Sequence, residues 1–161
     1  MPAAGAGCYT DRMKKILVPV DFSSVTDRVV DETEALARAF EGKVSLLNVV
    51  QPPAVATAEY ALPVEVIQEA MNVTDKSARD KLAKFEARFR AAGLNCETDV
   101  LVGQPVAVIL EQAAKTGADY IVMGSHGHGK LYDFLVGSTA SGVLKKARCA
   151  VIILPTEYHH R

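Results

Sequence analysis

Five short apolar runs punctuate this chain: Ile16-Leu17-Val18, Val44 to Val50, Val100-Leu101-Val102, Ile121-Val122-Met123 and Val151-Ile152-Ile153. Each is rich in β-branched residues and too short for a buried helix, and most lack the apolar–polar alternation of a half-exposed strand. They read as strands covered on both faces, as in a parallel sheet. Between them lie longer segments with apolar residues three and four apart, the period of a helix face. The order is β-α-β-α-β-α-β-α-β. It predicts an α/β fold, an open, doubly wound, five-stranded parallel sheet with helices on both faces and right-handed crossovers. In such sheets, ligands bind beyond the carboxyl ends of the strands, where the strand order reverses. Asp21, Val49-Val50 and Gly124 stand at three of those ends and share one pocket if the first and fourth strands flank the reversal.

The spacing places a first strand over Lys14 to Asp21, with Pro19 near its end, where a lost ladder bond is tolerable. Ser23 or Ser24 then caps a helix, with Ser24 and Asp27 as a weak capping box. Val25, Val29, Thr33, Leu36 and Phe40 form that helix's inner face, and Gly42 stops it. Lys43 to Val50 is the second strand, ended by Gln51-Pro52-Pro53. Residues 54–62 are small and irregular, a loop. A long helix follows from Pro63 to Ala92, with Ile67, Ala70, Thr74, Ala78, Leu82, Phe85 and Phe89 as its stripe and Gly93 as its cap. A break would fall at Asn72-Val73-Thr74, which are modest helix formers. Cys96 to Val102 is the third strand. Pro105 opens a helix whose inner face is Val106, Ile109, Leu110 and Ala113, and Gly117 ends it. Ala150 to Leu154, closed by Pro155, is the last strand.

The chemistry concentrates between Tyr120 and Thr139, YIVMGSHGHGKLYDFLVGST. A buried strand runs into Gly124, Gly127, Gly129 and Gly137, and Ser138 and Thr139 then precede a helical segment, GVLKKA. Glycine lets backbone approach a ligand closely. The unpaired N–H groups of a helix start carry partial positive charge and hold anions. Gly124 and Gly127 permit a tight loop. The nine residues between Gly127 and Gly137 swing out and return, and Gly137, Ser138 and Thr139 present amides and hydroxyls to a phosphate chain. Ser138 also reads as a simple N-cap. Two other phosphate motifs fail on named residues. Leu131 stands where a P-loop needs Ser or Thr, and Tyr132 where a dinucleotide fingerprint needs glycine.

A chain of 161 residues, 49% hydrophobic and 23% charged, reads as one globular domain, preceded by a leader over 1–12 and followed by a polar tail over 157–161, with the domain at 13–156. The formal net charge of −1 argues against a nucleic-acid partner. No run approaches the roughly 20 apolar residues of a membrane span, and no signal peptide is legible; the expected location is the cytoplasm. Cys8, Cys96 and Cys149 are far apart and odd in number, which suits reduced thiols and neither a disulfide framework nor a metal site. The paired histidines of the tail, His159 and His160, read as a solvated end.

The spacing Gly124-x2-Gly127-x9-Gly137-Ser138 resembles the ATP-binding branch of the universal stress protein family, whose signature is G-x2-G-x9-G-[S/T]. The likeness extends from Lys14-Lys15-Ile16-Leu17-Val18-Pro19-Val20-Asp21-Phe22-Ser23 to Val151-Ile152-Ile153-Leu154-Pro155 and covers nearly the whole chain. The resemblance implies that Asp21 lies near the nucleoside, where its other reading is a helix-capping carboxylate. It implies that the backbone of Val49 meets the adenine edge, that Pro19 and Val20 shape the pocket, and that Met123 and His126 sit beside the nucleotide. Ala140 stands where some ATP binders carry a hydroxyl. His128 and Lys130 read as solvated.

Together these point to an ATP-binding module with a regulatory role in stress survival, working as a homodimer through strand 149–155, its client unknown. Mg²⁺ or Mn²⁺ accompanies the triphosphate, held mainly by phosphates and water, because no ligand cluster is evident. The competing function is a slow ATPase or phosphotransferase. Against it, no P-loop lysine–hydroxyl pair and no nucleophile–base constellation is visible, and Asp21 is the one carboxylate the sequence places near the site.

Overall fold

The computed structural model describes residues 13–52, 63–125 and 136–155. Five strands, β1 (Lys15–Pro19), β2 (Lys43–Val50), β3 (Asn95–Val102), β4 (Tyr120–Gly124) and β5 (Ala150–Leu154), alternate with four helices, α1 (Thr26–Ala39), α2 (Val64–Ala91), α3 (Pro105–Thr116) and α4 (Ser138–Lys146). The strands form one sheet in the order β3-β2-β1-β4-β5, and every pairing is parallel. The expected doubly wound α/β sheet is therefore present, with the reversal of strand order between β1 and β4.

The alternation of side chains along the strands builds two cores. Ile16, Val18, Val44, Leu46, Cys96, Val100 and Val122 face α1 and α2, meeting Val29, Val30, Ala37, Ala78, Leu82 and Phe89. Leu17, Leu47, Ile121 and Met123 face the other way, onto Ile109 and Ala113 of α3 and Ala140 and Val143 of α4. Both faces are covered because right-handed crossovers send the chain over one face while it travels from β1 to β3, and over the other once it returns to β4.

The helix ends differ in detail from the sequence reading. The N-cap of α1 is Val25, and no side chain caps the helix; Ser23 and Ser24 do not do so. The Asp21 carboxylate has already turned the chain, its Oδ1 accepting the Ser23 N–H at 3.0 Å. At the other end of α1 the left-handed residue is Glu41, φ 48, and Gly42 follows it. Gly42 matters for space: a Cβ there would lie 3.0 Å from the Lys14 carbonyl and 3.2 Å from Ile16 Cδ1. α2 is continuous, without a break at Asn72-Val73-Thr74. It ends as expected on Gly93, φ 76, with Leu94 N–H donating to Phe89 O at 2.9 Å and Gly93 N–H to Arg90 O at 2.9 Å, the double bond pattern of a glycine-terminated helix.

The predicted stripe of α2 holds only in its second half. Ala78, Leu82 and Phe89 are buried, whereas Ala70 and Thr74 are exposed. The reason is length. A helix of 28 residues spans about 42 Å, but an eight-residue strand spans only about 26 Å. The first half of α2 runs on past the carboxyl ends of the strands, leaving Val64, Val66 and Val73 exposed.

Candidate functional site

β1 and β4 pair only at Ile16 with Tyr120 and Leu17 with Ile121. Beyond that, each strand keeps its other neighbour: β1 stays with β2 to Pro19 opposite Leu47, and β4 with β5 to Gly124 opposite Leu154. From there the two strands follow different partners. The crevice this opens at the carboxyl ends has a volume of about 770 Å³, within the usual range of small-molecule sites.

Pro19, Val20 and Asp21 line one wall, Leu47, Asn48 and Val49 a second, and Met123, Gly124 and Ser125 with Gly137, Ser138 and Thr139 a third. Nine of the eleven residues singled out in the sequence thus stand around one cleft; the other two, His126 and Gly127, lie outside the described residues. Asn48, which sequence reasoning passed over, is buried, and its Nδ2 donates to the Val20 carbonyl at 2.8 Å. Val20 N–H donates to Leu47 O, also at 2.8 Å. These two bonds hold the end of β1 against β2 and so place Asp21 at the rim.

The residues flanking segment 126–135 are joined by backbone bonds. Gly137 N–H donates to Ser125 O at 2.7 Å, and Ser125 N–H to Leu154 O at 2.7 Å. The start of α4 is thereby fixed at the end of β4, and the glycine-flanked segment leaves and returns to one place. This corrects the expectation for Gly137, whose amide is already engaged. It serves instead as the N-cap residue of α4, with no side-chain cap bond, so Ser138 is not the cap. The first helical bond runs from Ser141 N–H to Gly137 O at 2.9 Å. The amides of Ser138, Thr139 and Ala140 precede it and sit at the positive end of the helix dipole, equivalent to about half a charge. Ala140 itself is buried in the α3–α4 core.

Three helices contribute residues that the sequence did not single out for the site. Thr26 and Val29 of α1 and Pro105 and Ile109 of α3 line the cleft, as do Val73, Thr74, Ser77, Ala78 and Lys81 of α2. The α2 residues reach it because that helix overhangs the strand ends; its excess length over the strands was the signal available in the sequence. Chemically, the cleft offers apolar walls for a flat base, one carboxylate as acceptor, and helix-start amides for an anion.

An open α/β sheet with its cleft at the reversal point and a helix start aimed there is an arrangement suited to a small anionic ligand. The sequence profile described as the universal stress protein family matches residues 13–155, and the chain belongs to that family. Universal stress protein A homolog 2 of Coxiella burnetii is 33% identical over 147 residues, covering 88% of this chain and 94% of that protein. Universal stress protein MJ0531 of Methanocaldococcus jannaschii is 31% identical over 141 residues, covering 88% and 81%. Among solved structures, MJ0577 superposes with a TM-score of 0.78 at 28% identity, covering 90% of this chain and 97% of that one. UspA from Lactobacillus plantarum gives 0.78 at 28% identity, covering 90% and 99%. A universal stress protein from Archaeoglobus fulgidus solved in complex with dAMP gives 0.60 at 25% identity, covering 89% and 98%.

Proposed function

We propose that this protein binds ATP in the β1–β4 cleft and acts as a nucleotide-dependent regulatory module in the ATP-binding branch of its family. One observation carries the reading: Asp21, Val49 and, at the start of α4, Ser138 and Thr139 line a single cleft at the point where the sheet reverses. The base lies against Val49 and Met123, the ribose near Asp21, and the phosphates at the start of α4. The dAMP complex of the Archaeoglobus fulgidus relative supports an adenine nucleotide as the ligand class. Asp21 is the only acidic residue among the described residues that line the cleft, and no cluster of three or more acidic, histidine or cysteine residues is found among the described residues. Mg²⁺ or Mn²⁺ then enters with the triphosphate, its ligands drawn mainly from phosphate oxygens and water.

Calorimetric titration of ATP into purified protein tests the proposal, together with mass spectrometry of any nucleotide released on denaturation. Gly127→Val, which places a branched side chain in the glycine loop, abolishes binding while the fold survives. Unchanged ATP affinity in a folded Gly127→Val protein would refute the reading. Labelled ATP incubated with the wild type separates a regulatory module from a slow ATPase: the regulatory reading expects no turnover above background.

A further inference from the structure

The cleft does not end at Asp21. It continues across the sheet end to the opposite face, beneath the overhang of α2, where Thr26, Ser77 and Lys81 line it. This second arm has three features that packing alone does not explain. Thr26 is only 4% exposed, and among the described residues its hydroxyl has no hydrogen-bond partner; nor has the buried Ser23 hydroxyl nearby. A buried hydroxyl left unpaired is destabilising, because it has given up its water partners without replacing them. Phe22 holds φ at 60, a left-handed conformation that is an outlier for a bulky residue and gathers at ligand sites. Its ring lies under the Lys81 ammonium, 4.9 Å from Nζ to the centroid. Among the described residues no carboxylate pairs with Lys81, so this contact is what positions its charge.

We infer that Thr26, Ser77 and Lys81 form a second anion-binding pole, taking a phosphate group separate from the 5′-phosphate chain held at α4. The inference rests on the nucleotide reading above. Lys81 supplies the charge, and the Thr26 and Ser77 hydroxyls donate to phosphate oxygens, which gives the buried Thr26 its missing partner. The ligand class is an adenine nucleotide with a second phosphate on its ribose, or a nucleotide and a free phosphate bound together. The Asp21 carboxylate on the cleft rim opposes an anion, so the gain is moderate, about fivefold to tenfold.

The test compares 5′-AMP with adenosine 2′,5′- and 3′,5′-bisphosphate by calorimetry, in wild type, Lys81→Met and Lys81→Arg. Inorganic phosphate is titrated separately into ATP-saturated protein. Lys81 is exposed, so these variants leave the core intact. At least one bisphosphate binds the wild type about fivefold or more tightly than 5′-AMP. The advantage disappears in Lys81→Met, survives in part in Lys81→Arg, and 5′-AMP affinity is the same in all three. If the second phosphate comes from solution instead, inorganic phosphate binds ATP-saturated wild type and not Lys81→Met. The inference is overturned when 5′-AMP and ATP bind but neither a bisphosphate advantage nor phosphate binding is found, or when either survives Lys81→Met. If neither 5′-AMP nor ATP binds the wild type, the nucleotide reading fails and this inference falls with it.

Discussion

Gly142, in the middle of α4, gives a quantitative test of how the start of that helix is held. A Cβ built on Gly142 would lie 2.7 Å from Cγ2 and 3.2 Å from Cγ1 of Val106 in α3, well inside van der Waals contact. Valine is stiff at χ1, so Val106 cannot turn aside and the helices must separate. Overpacking of this kind costs about 1–3 kcal/mol. Gly→Ala inside a helix returns about 1 kcal/mol in propensity. The net expectation for Gly142→Ala is a loss of about 0–2 kcal/mol, or a fall in Tm of up to about 8 °C at 2–4 °C per kcal/mol for a chain this size. The double-mutant cycle with Val106→Ala is more decisive, because that change removes both clashing methyls. In the Val106→Ala background Gly142→Ala stabilises by about 1 kcal/mol, giving a coupling of about 1–3 kcal/mol. Urea denaturation of the four proteins measures it. ATP affinity falls in Gly142→Ala and returns in the double variant, because α4 carries the Ser138 and Thr139 amides. A Gly142→Ala protein that is about 1 kcal/mol more stable than wild type, with no coupling to Val106, would refute the close approach of α3 and α4.

Further expectations follow from other parts of the fold. β5 is an edge strand with no charged residue, Ala150 to Leu154, whereas the other edge, β3, carries Glu97 and Asp99; unprotected edges recruit strands. Sedimentation is expected to show a wild-type dimer and an Ile153→Lys monomer, and a wild-type monomer across micromolar concentrations would rule out pairing through β5. Cys96 is buried and its thiol is pushed up to about 12 by desolvation, so at pH 8 alkylation of Cys96, followed by peptide mass spectrometry, occurs only on unfolding. The Lys43 side chain, aided by Ser45, holds the Glu97 carboxyl below its ordinary value of 4.5. A depressed folded-state pKa gives stability that is present above that value and lost as pH falls through the folded one. Glu97→Gln therefore flattens the acid limb of the stability curve below about pH 4.5, an effect kept small by solvent exposure of the pair and read by thermal melts from pH 3 to 7. Chelator lowers ATP affinity if the divalent ion accompanies the triphosphate; unchanged affinity would remove the metal from the site.

What could be read from the residues alone was whatever depends on local pattern. Short apolar runs could bury both faces only as parallel strands, so the element order and fold class were already present in the spacing of valines and isoleucines. Pro105 at the first turn of α3 and Gly93 beyond α2 marked boundaries because their backbone preferences are intrinsic. The convergence of Asp21, Val49 and Ser138 was legible only conditionally, since it required β1 and β4 to be neighbours. Tertiary structure decided the rest. Strand order settled that condition, and the register showed why a cleft opens: β1 and β4 stay paired for two residues and then follow different partners. The Gly137 amide, assigned to a ligand by sequence logic, is taken by the Ser125 carbonyl, a contact made only when the chain returns. Ser23 looked like a helix cap because serine prefers that position, yet the helix begins later and, among the described residues, its hydroxyl is buried without a partner. Nothing in the sequence singles out Lys81 among the lysines of a long helix. Only the mismatch between a 28-residue helix and the shorter strands beneath it carries that charge over the cleft.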